Sequence, residues 1–419
     1  WADKAFTKAR VGDQYAKRFA IHFPNEERDA GRPVRTRPAH ALQTTLGGVF
    51  GLNYGWEHVQ WFADHPGAKD TNGFTRQNWF EPVGRECRML RNTAGIIDIS
   101  NFAKYRVCGG QAEAWLNAVF ANKMPKAVGR SCLTPLIGVR GGIAGDFTVT
   151  RLAEDEFMII GSGMAERYHQ RFWKMVPMPA GVSFESLTEA LCGFNVAGPK
   201  SRALLQRLTN TSLATEDFPF MRSKRIELAG VDCVALRVSF TGDLGWELHC
   251  KTEDQLRLYE ALLDCAKDFD AGPVGARALM SLRVEKGYGS WSREYSPEYW
   301  PQEVGLAGLI KLDKDFLHKE AYLAIKDKDP RERLCIVEIL APDHADATGG
   351  EPIFDKAGAG VGRVTSGTYG YGVNKSLALC YLKNVTAGDE LDVMILGKPH
   401  HAIVLPEAPF DPKGEKLRA

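Results

Sequence analysis

The sequence lacks several patterns by which common protein classes are recognised. Its nine cysteines form no C-x-x-C pair, no apolar run is long enough to span a bilayer, and the first residues lack the apolar core of a signal peptide. The formal net charge is only +1 over 419 residues, so no broad footprint for nucleic acid or an anionic membrane is present. These absences favour reduced thiols and a cytoplasmic protein, or a mitochondrial matrix protein if eukaryotic, without nucleic acid or membrane as a partner.

Familiar cofactor and catalytic motifs are missing as well. No G-x-G-x-x-G opens a strand–helix unit, and there is no P-loop, H-E-x-x-H or G-x-S-x-G motif. The tandem pair His400–His401 lies near a strand end, where adjacent side chains point to opposite faces and cannot easily chelate one ion. The sequence therefore predicts neither a dinucleotide-binding domain nor a metal site.

The length of the chain and its changes of pattern predict more than one domain. Residues 1–75 carry glycine, proline and polar stretches with little helical periodicity, which predicts an extended arm. Residues 76–330 mix helical patterns, as at 81–95 and 275–287, with a hairpin pattern at 146–161. Residues 331–419 read as short strands with glycine-rich turns, which predicts a small β-barrel and an α+β protein overall. Because residue 1 is not methionine, we also expect the natural chain to begin upstream.

Asp146, in "GGIAGDFTV", is the first candidate for chemistry. It follows a glycine-rich turn at the beginning of an apolar strand. Such an acid is often an ordinary turn cap. Held at the edge of a cleft, the same carboxylate would stabilise a developing cation or manage a proton.

The stretch "SFTGDLGWELHC", residues 239–250, carries the second candidate group, with Asp243 and Glu247. One interpretation is a β-bulge with a solvated acid. The other uses the two coplanar acceptor oxygens of a carboxylate, which match a ligand edge with two parallel N–H donors. The amino-pyrimidinone edge of a pterin or of guanine is such an edge, and the nearby aromatic rings would stack on the heterocycle.

The third candidate group is cationic and lies in "GARALMSLRVEKGYGSWSRE". One interpretation is a solvated helix face with an ion pair such as Arg283–Glu285. The other is a seat for the carboxylate tail of a ligand, with Trp291 among the cations. The basic residues of this stretch are Arg277, Arg283, Lys286 and Arg293.

Several stretches, in order along nearly the whole chain, carry a family resemblance. They include "NWFEPVGRE", "GIIDISNFAKYRV", "GDFTVTRL", "NVAGP", "SFTGDLGWEL" and "GRVTSGTYGYGVNKSLALCYL". Together they resemble the folate-binding half of dimethylglycine dehydrogenase and sarcosine dehydrogenase, which is related to the aminomethyltransferase (T-protein) of the glycine cleavage system. The stretches "EERDAGRPVRTRP" and "YGWEHVQWF" resemble the segment that joins the flavin half to the folate half in the dehydrogenases, and glycine-cleavage T-proteins do not carry it.

The resemblance implies a fold and a reaction. The fold would be a cloverleaf of α+β domains around a central folate channel, closed by a C-terminal β-barrel. Residues 1–75 would then be a linker that contacts a flavin domain, residues 76–330 the folate-binding domains and residues 331–419 the barrel. The enzyme would capture the iminium or formaldehyde from oxidative N-demethylation of a methylated amine as 5,10-methylenetetrahydrofolate. FAD would be held only by an upstream domain or a partner subunit, the amine-oxidising half.

The resemblance also implies roles for individual residues. Asp146 would be the catalytic acid, and Glu247 would bind the pterin edge, with Asp243 only a turn residue. Many family members have tyrosine where this chain has Phe240, so one hydrogen bond to folate would be lost. Arg277 aligns with a substrate-binding arginine of T-proteins. The full set of expected folate-binding residues is Phe147, Thr148, Phe240, Glu247, Leu248, His249, Arg277, Arg283 and Trp291.

Two other functions remain open from the sequence. One is a stand-alone tetrahydrofolate-dependent demethylase that produces 5-methyltetrahydrofolate. The other is a non-catalytic folate-binding module within a larger complex. The amine itself, dimethylglycine, sarcosine or another methylated compound, would be selected by the flavin half.

Overall fold

The structure, a computed structural model, describes residues 3–341 and 343–419. The predicted helices at 81–95 and 275–287 are confirmed as α3 and α8: Pro82 lies in the first turn of α3, and Gly287 follows the end of α8. Within the described residues the α-helices are α1 (Lys4–Ala16), α2 (His40–Thr45), α3 (Phe80–Asn92), α4 (Ala112–Val119), α5 (Glu166–Trp173), α6 (Ser201–Gln206), α7 (Gln255–Ala266), α8 (Ala276–Glu285), α9 (Lys319–Leu323) and α10 (Glu415–Arg418).

The strands confirm the predicted hairpin, which consists of β6 and β7 in antiparallel pairing. In chain order the strands are β1 (Gly48–Asn53), β2 (Trp56–Phe62), β3 (Gly95–Asp98), β4 (Ala103–Cys108), β5 (Ser131–Ile137), β6 (Ile143–Ala153), β7 (Glu156–Gly161), β8 (Ser183–Ser186), β9 (Leu191–Ala197), β10 (Ser223–Leu228), β11 (Val231–Leu236), β12 (Gly245–Lys251), β13 (Gly272–Val274), β14 (Arg333–Ile339), β15 (Pro352–Asp355), β16 (Gly360–Gly370), β17 (Lys375–Leu382), β18 (Glu390–Ile395) and β19 (Lys398–Val404).

Two sheets carry the candidate acids. The Asp146 sheet has the strand order β5-β6-β7-β4-β8, and the Glu247 sheet has the order β10-β11-β12-β9-β3-β13. Pairing is antiparallel except between β3 and β13. Each sheet packs one face against its own helices: α4 and α5 lie on the Asp146 sheet, and α6 and α7 lie on the Glu247 sheet. The helices therefore leave the other face of each sheet uncovered.

The C-terminal strands form the predicted barrel. Strands β14-β17-β16-β15-β18-β19 close on themselves, with alternate apolar side chains filling the interior. Closure leaves no unpaired sheet edge in this part of the protein. The barrel contacts α8 through β16, which lies over that helix.

The sequence predicted an extended arm over residues 1–75, but the N-terminal segment is not extended throughout. It contains α1, α2 and the hairpin β1–β2. The carboxylate of Asp3 caps α1 by accepting hydrogen bonds from the N–H groups of Ala5 and Phe6. This cap is the local sequence signal for the helix, whose apolar periodicity is weak. The hairpin packs on the body of the protein: a Cβ added to Gly275, at the start of α8, would lie 2.4 Å from the carbonyl oxygen of Gln60. Glycine is therefore needed where β2 meets α8.

None of the described helices is long and apolar enough to cross a membrane.

Candidate functional site

Asp146 lies on β6 with its side chain on the face of the sheet that the helices do not cover. Thr148 pairs directly with Ile160 on β7, and successive residues of a strand alternate between faces. Asp146, Thr148 and Ile160 therefore share one face. Phe147 points the other way, into the core formed with α4 and α5, where its ring contacts Phe120. The structure thus places Phe147 behind the strand and Thr148 beside Asp146.

Glu247 occupies the corresponding face of the other sheet. It pairs directly with Leu236 on β11, so these two side chains lie on the same side. His249, two residues further along β12, shares that side, whereas Leu248 is fully buried in the core against α7. Of the predicted flanking residues, His249 is therefore on the face of Glu247 and Leu248 is behind it.

These two faces meet. Met158 and Ile160 from β7 and Leu236 from β11 belong to one buried apolar cluster. Met158 and Ile160 are on the face of Asp146, and Leu236 is on the face of Glu247. Asp146 and Glu247 accordingly lie on surfaces of two sheets that face each other.

The carboxyl group of Asp146 is poorly solvated. Burial raises its pKa to about 6, and no hydrogen bond from another described residue reaches the carboxylate. Tyr295, on the loop that follows α8, is near enough that the charge of Asp146 adds to burial in raising the pKa of the Tyr295 hydroxyl. An acid with this pKa is mainly ionised at neutral pH and still exchanges its proton readily.

Glu247 has a histidine and a buried lysine as neighbours. Its Oε2 lies 3.5 Å from Nε2 of His249, and its side chain is 18% exposed. Burial lowers the pKa of His249, and Glu247 opposes this effect. Lys104 on β4 is fully buried with its ammonium donating to the carbonyl oxygens of Ser100 and Phe102, at 3.0 and 2.9 Å. Burial, together with the neighbouring Arg37 cation, lowers the pKa of Lys104 to about 8, while Glu247 acts in the opposite direction.

The turn before Glu247 is held by Arg91 on α3. Arg91 forms an ion pair with Asp243, donates to the carbonyl oxygen of Thr241 at 3.0 Å, and contacts Glu285 Oε2 at 2.8 Å. Asp243 therefore fastens the turn, while Glu247 is left for other contacts. Phe240, at the start of the turn, stacks on Tyr288 with ring centroids 6.0 Å apart.

Arg283 and Trp291 hold the loop after α8. Arg283 is fully buried and pairs with Glu294 at 2.8 Å, not with Glu285 as considered from the sequence, because Glu285 is taken by Arg91. Trp291 packs on His169 of α5 with ring centroids 5.1 Å apart. These two predicted ligand-binding residues thus fix the 287–295 loop, which carries Tyr295 to Asp146.

Arg277, at the start of α8, is engaged by the segment before α3. It forms a two-pronged ion pair with Asp70, both contacts being 2.8 Å. Arg277 and Arg283 line a cleft of about 210 Å³ between the 70–79 segment, α8 and the barrel. The lining of this cleft, taken over the part of the chain that the structure describes, includes neither Asp146 nor Glu247. The cleft that Arg277 and Arg283 line therefore does not itself contain either acid.

Three residues near the acids escaped the sequence analysis: Lys104, Asn195 and Tyr295. Asn195 pairs directly with Glu247 and is 2% exposed. A polar residue inside the apolar run "GFNVAGP", and a lysine inside "FAKYRV", were the available signals, because buried strands rarely carry such residues without a reason. Tyr295 gave no comparable signal, since loop tyrosines are common.

Comparison with known families identifies the chain. Residues 39–314 match the family model described as GCVT N-terminal domain, and residues 332–411 match the glycine cleavage T-protein C-terminal barrel domain. The chain belongs to the glycine cleavage T-protein family. Residues 1–36 match a third model, the FAD dependent oxidoreductase central domain.

Individual relatives agree with this assignment. Dimethylglycine dehydrogenase of Mus musculus is 34% identical over 97% of this chain and 47% of its own length. A 4-methylaminobutanoate oxidase (formaldehyde-forming) of Paenarthrobacter nicotinovorans is 30% identical over 99% of this chain and 51% of its own length. The chain thus spans about half the length of these relatives.

A solved structure supports the fold. The glycine cleavage system aminomethyltransferase T from Bartonella henselae superposes with a TM-score of 0.77 at 23% identity, over 90% of this chain and 98% of that one. The predicted family, the T-protein-like fold with its barrel, and the predicted class of folate-dependent transferase are confirmed by these matches.

Proposed function

We propose that this chain transfers a one-carbon unit to tetrahydrofolate, capturing the iminium or formaldehyde from oxidative N-demethylation of a methylated amine as 5,10-methylenetetrahydrofolate. The observation that carries the proposal is the placement of Asp146 and Glu247 on facing surfaces of two sheets. Glu247 would bind the folate, and Asp146 would stabilise the one-carbon unit that reacts.

Glu247 suits the pterin edge. Its carboxylate is partly exposed on a buried sheet face and can accept two parallel N–H groups, while His249 and Thr148 complete the polar surroundings. When bound, tetrahydrofolate supplies the nitrogen nucleophile that takes up the one-carbon unit. The turn held by Arg91 fixes the position of Glu247 before any ligand arrives, which reduces the entropy lost on binding.

Asp146 would stabilise the positive charge of the one-carbon unit and accept a proton during the transfer. As a desolvated carboxylate with a pKa of about 6, it stabilises a cationic one-carbon unit more strongly than a solvated acid would. It also accepts the proton that the attacking nitrogen loses. The side chains of Met158, Ile160 and Leu236 exclude water from the neighbouring surface, which limits hydrolysis of the reactive carbon.

A flavin-containing half would supply the one-carbon unit. The relatives are named as an amine dehydrogenase and as a formaldehyde-forming oxidase, and residues 1–36 match a domain of FAD dependent oxidoreductases. Large apolar side chains in that segment are exposed: Val11, Tyr15, Phe19 and Ile21. Such a group of exposed apolar residues is typical of a protein interface. We infer that this segment packs on the amine-oxidising half, and that the substrate is a methylated amine of the dimethylglycine or sarcosine type.

Calorimetry and single-turnover kinetics with tetrahydrofolate test the proposal. Glu247→Gln should weaken tetrahydrofolate binding by about 1.5–3 kcal/mol, because the side chain loses its charge and one acceptor. Asp146→Ala should bind tetrahydrofolate normally but transfer the one-carbon unit at least ~100-fold more slowly. Asp232→Asn, an exposed aspartate on β11, is the matched control. Normal transfer by Asp146→Ala would remove the catalytic assignment and leave a folate-binding module, and no binding by the wild type would remove the whole proposal.

A further inference from the structure

Asn195 carries a buried acceptor that nothing in the described protein satisfies. Its Nδ2 donates to the carbonyl oxygen of Trp246 at 3.2 Å, with that of Val238 at 3.5 Å. Its Oδ1 has no hydrogen-bond partner among the described residues. Since Asn195 is only 2% exposed, this oxygen is withdrawn from bulk water, and buried acceptors of this kind normally have a partner.

The orientation of the amide is fixed by its surroundings. Rotating the amide by 180° would place Oδ1 against the carbonyl oxygens of Trp246 and Val238 and would lose both donated bonds. Oδ1 therefore points away from those carbonyl groups. The acceptor is set in place by the backbone of β12 and of the segment that precedes the turn.

Asn195 and Glu247 are directly paired on adjacent strands, so their side chains project from the same face of the sheet. The next strand on the far side of Glu247 places Leu236 on that face, and Leu236 packs toward the Asp146 sheet. The Glu247 carboxylate and the Asn195 amide thus form a row of side chains with acceptor oxygens on the sheet face that carries Leu236.

The surrounding charge decides what kind of ligand this row of acceptors fits. The buried ammonium of Lys104 is close enough to lower the pKa of His249, while Glu247 raises it. Within the described residues no group of three or more histidine, cysteine, aspartate or glutamate side chains could hold a metal ion. Because the Lys104 ammonium is already nearby, a second cation would be repelled. A neutral ligand with several N–H donors along one flat edge suits the row better.

We propose that Asn195 binds the 2-amino group of the reduced pterin. This inference rests on the proposed function. The amino-pyrimidinone edge offers a ring N–H and an amino group with two hydrogens. Glu247 accepts the ring N–H and one amino hydrogen, and Oδ1 of Asn195 accepts the other. Asn195 is then a specificity-determining residue, because it accepts the amino hydrogen that the Glu247 carboxylate leaves unpaired.

Calorimetry with two ligands tests this role: tetrahydrofolate, and an analogue in which a methyl group replaces the 2-amino group. Asn195→Ala should weaken tetrahydrofolate binding about 5- to 10-fold and leave the analogue unchanged, because only tetrahydrofolate has the hydrogen that Oδ1 accepts. Asn195→Ser, which is smaller and polar, gives a second measurement if the alanine variant folds poorly. A purely structural role for Asn195 would weaken both ligands equally.

A measurement that leaves residue 195 intact is also available. Glu247→Ala should still prefer tetrahydrofolate over the analogue, because Asn195 continues to accept one amino hydrogen. Equal affinity of this variant for both ligands, or equal losses for both ligands in Asn195→Ala, would overturn the inference while the proposed function stands. If wild-type protein binds neither ligand, the proposed function fails first, so the two failures are distinguishable.

Discussion

Replacing Asp146 with asparagine should stabilise the folded protein, and the gain should increase with pH. Burial raises the pKa of Asp146 from 3.8 to about 6, so the folded state favours the protonated acid. The stability that this preference provides is fully present below pH 3.8, and it is lost as the pH rises through 6. Asparagine is neutral at every pH and avoids the loss.

The size of the effect follows from the two pKa values. A rise from 3.8 to about 6 corresponds to at most ~3 kcal/mol of folding free energy above pH 6. The side chain is only partly buried, which reduces the expected gain to about 1–2 kcal/mol at pH 8. Near pH 4 the acid is largely protonated in the folded state and only partly ionised in the unfolded state, so the gain there should be small.

Urea denaturation of wild type and Asp146→Asn at pH 4.5, 6 and 8 measures the difference directly. Asp232→Asn, which changes an exposed aspartate, should show no comparable dependence on pH. A stability difference that does not change with pH, or a variant that is less stable than wild type at pH 8, would refute the reasoning. Either result would mean that the Asp146 carboxylate is well solvated or hydrogen-bonded in the folded protein.

Two further predictions concern the ion pairs. Arg91→Met leaves two buried carboxylates without their cation and should lower the free energy of unfolding by about 3–5 kcal/mol in urea titrations. Arg88→Met, on the exposed side of the same helix, should cost less than about 0.5 kcal/mol. Asp70→Asn weakens the hold of Arg277 on the segment before α3 and should speed limited proteolysis there, whereas Asp64→Asn, in an exposed ion pair, should not. Unchanged cleavage of both variants would show that other contacts hold the segment.

The sequence predicted those parts of the fold that depend on local patterns. The hairpin at 146–161, the helices α3 and α8, and the barrel are each specified by alternation, helical spacing or glycine-rich turns within a short window. Helix α1 was missed because none of its residues is buried, so no apolar stripe marks it.

Parts of the site could not be predicted because they depend on distant residues. The partner of Arg283 is Glu294 and not the nearby Glu285, since Glu285 is paired with a residue 194 positions away. Likewise, only the strand register reveals that Asn195 is paired with Glu247. Local chemistry made the two acids candidates and left ordinary turn roles open, and the family resemblance selected Asp146 and Glu247. Their relation to each other required the two sheets to be assembled.

The Arg91 ion pairs also bear on the order in which the protein assembles. Arg91 contacts partners 152 and 194 residues further along the chain, and its guanidinium lies 3.3 Å from the centre of the Phe410 ring. Contacts that span so much of the chain form late, because long loops must close first. During synthesis, Arg91 cannot fasten the turn that presents Glu247 until Asp243 has left the ribosome, and Phe410 covers its guanidinium only after the barrel strands have followed. The ring that shields these ion pairs from water is therefore added to the molecule last, after both carboxylates have met their cation.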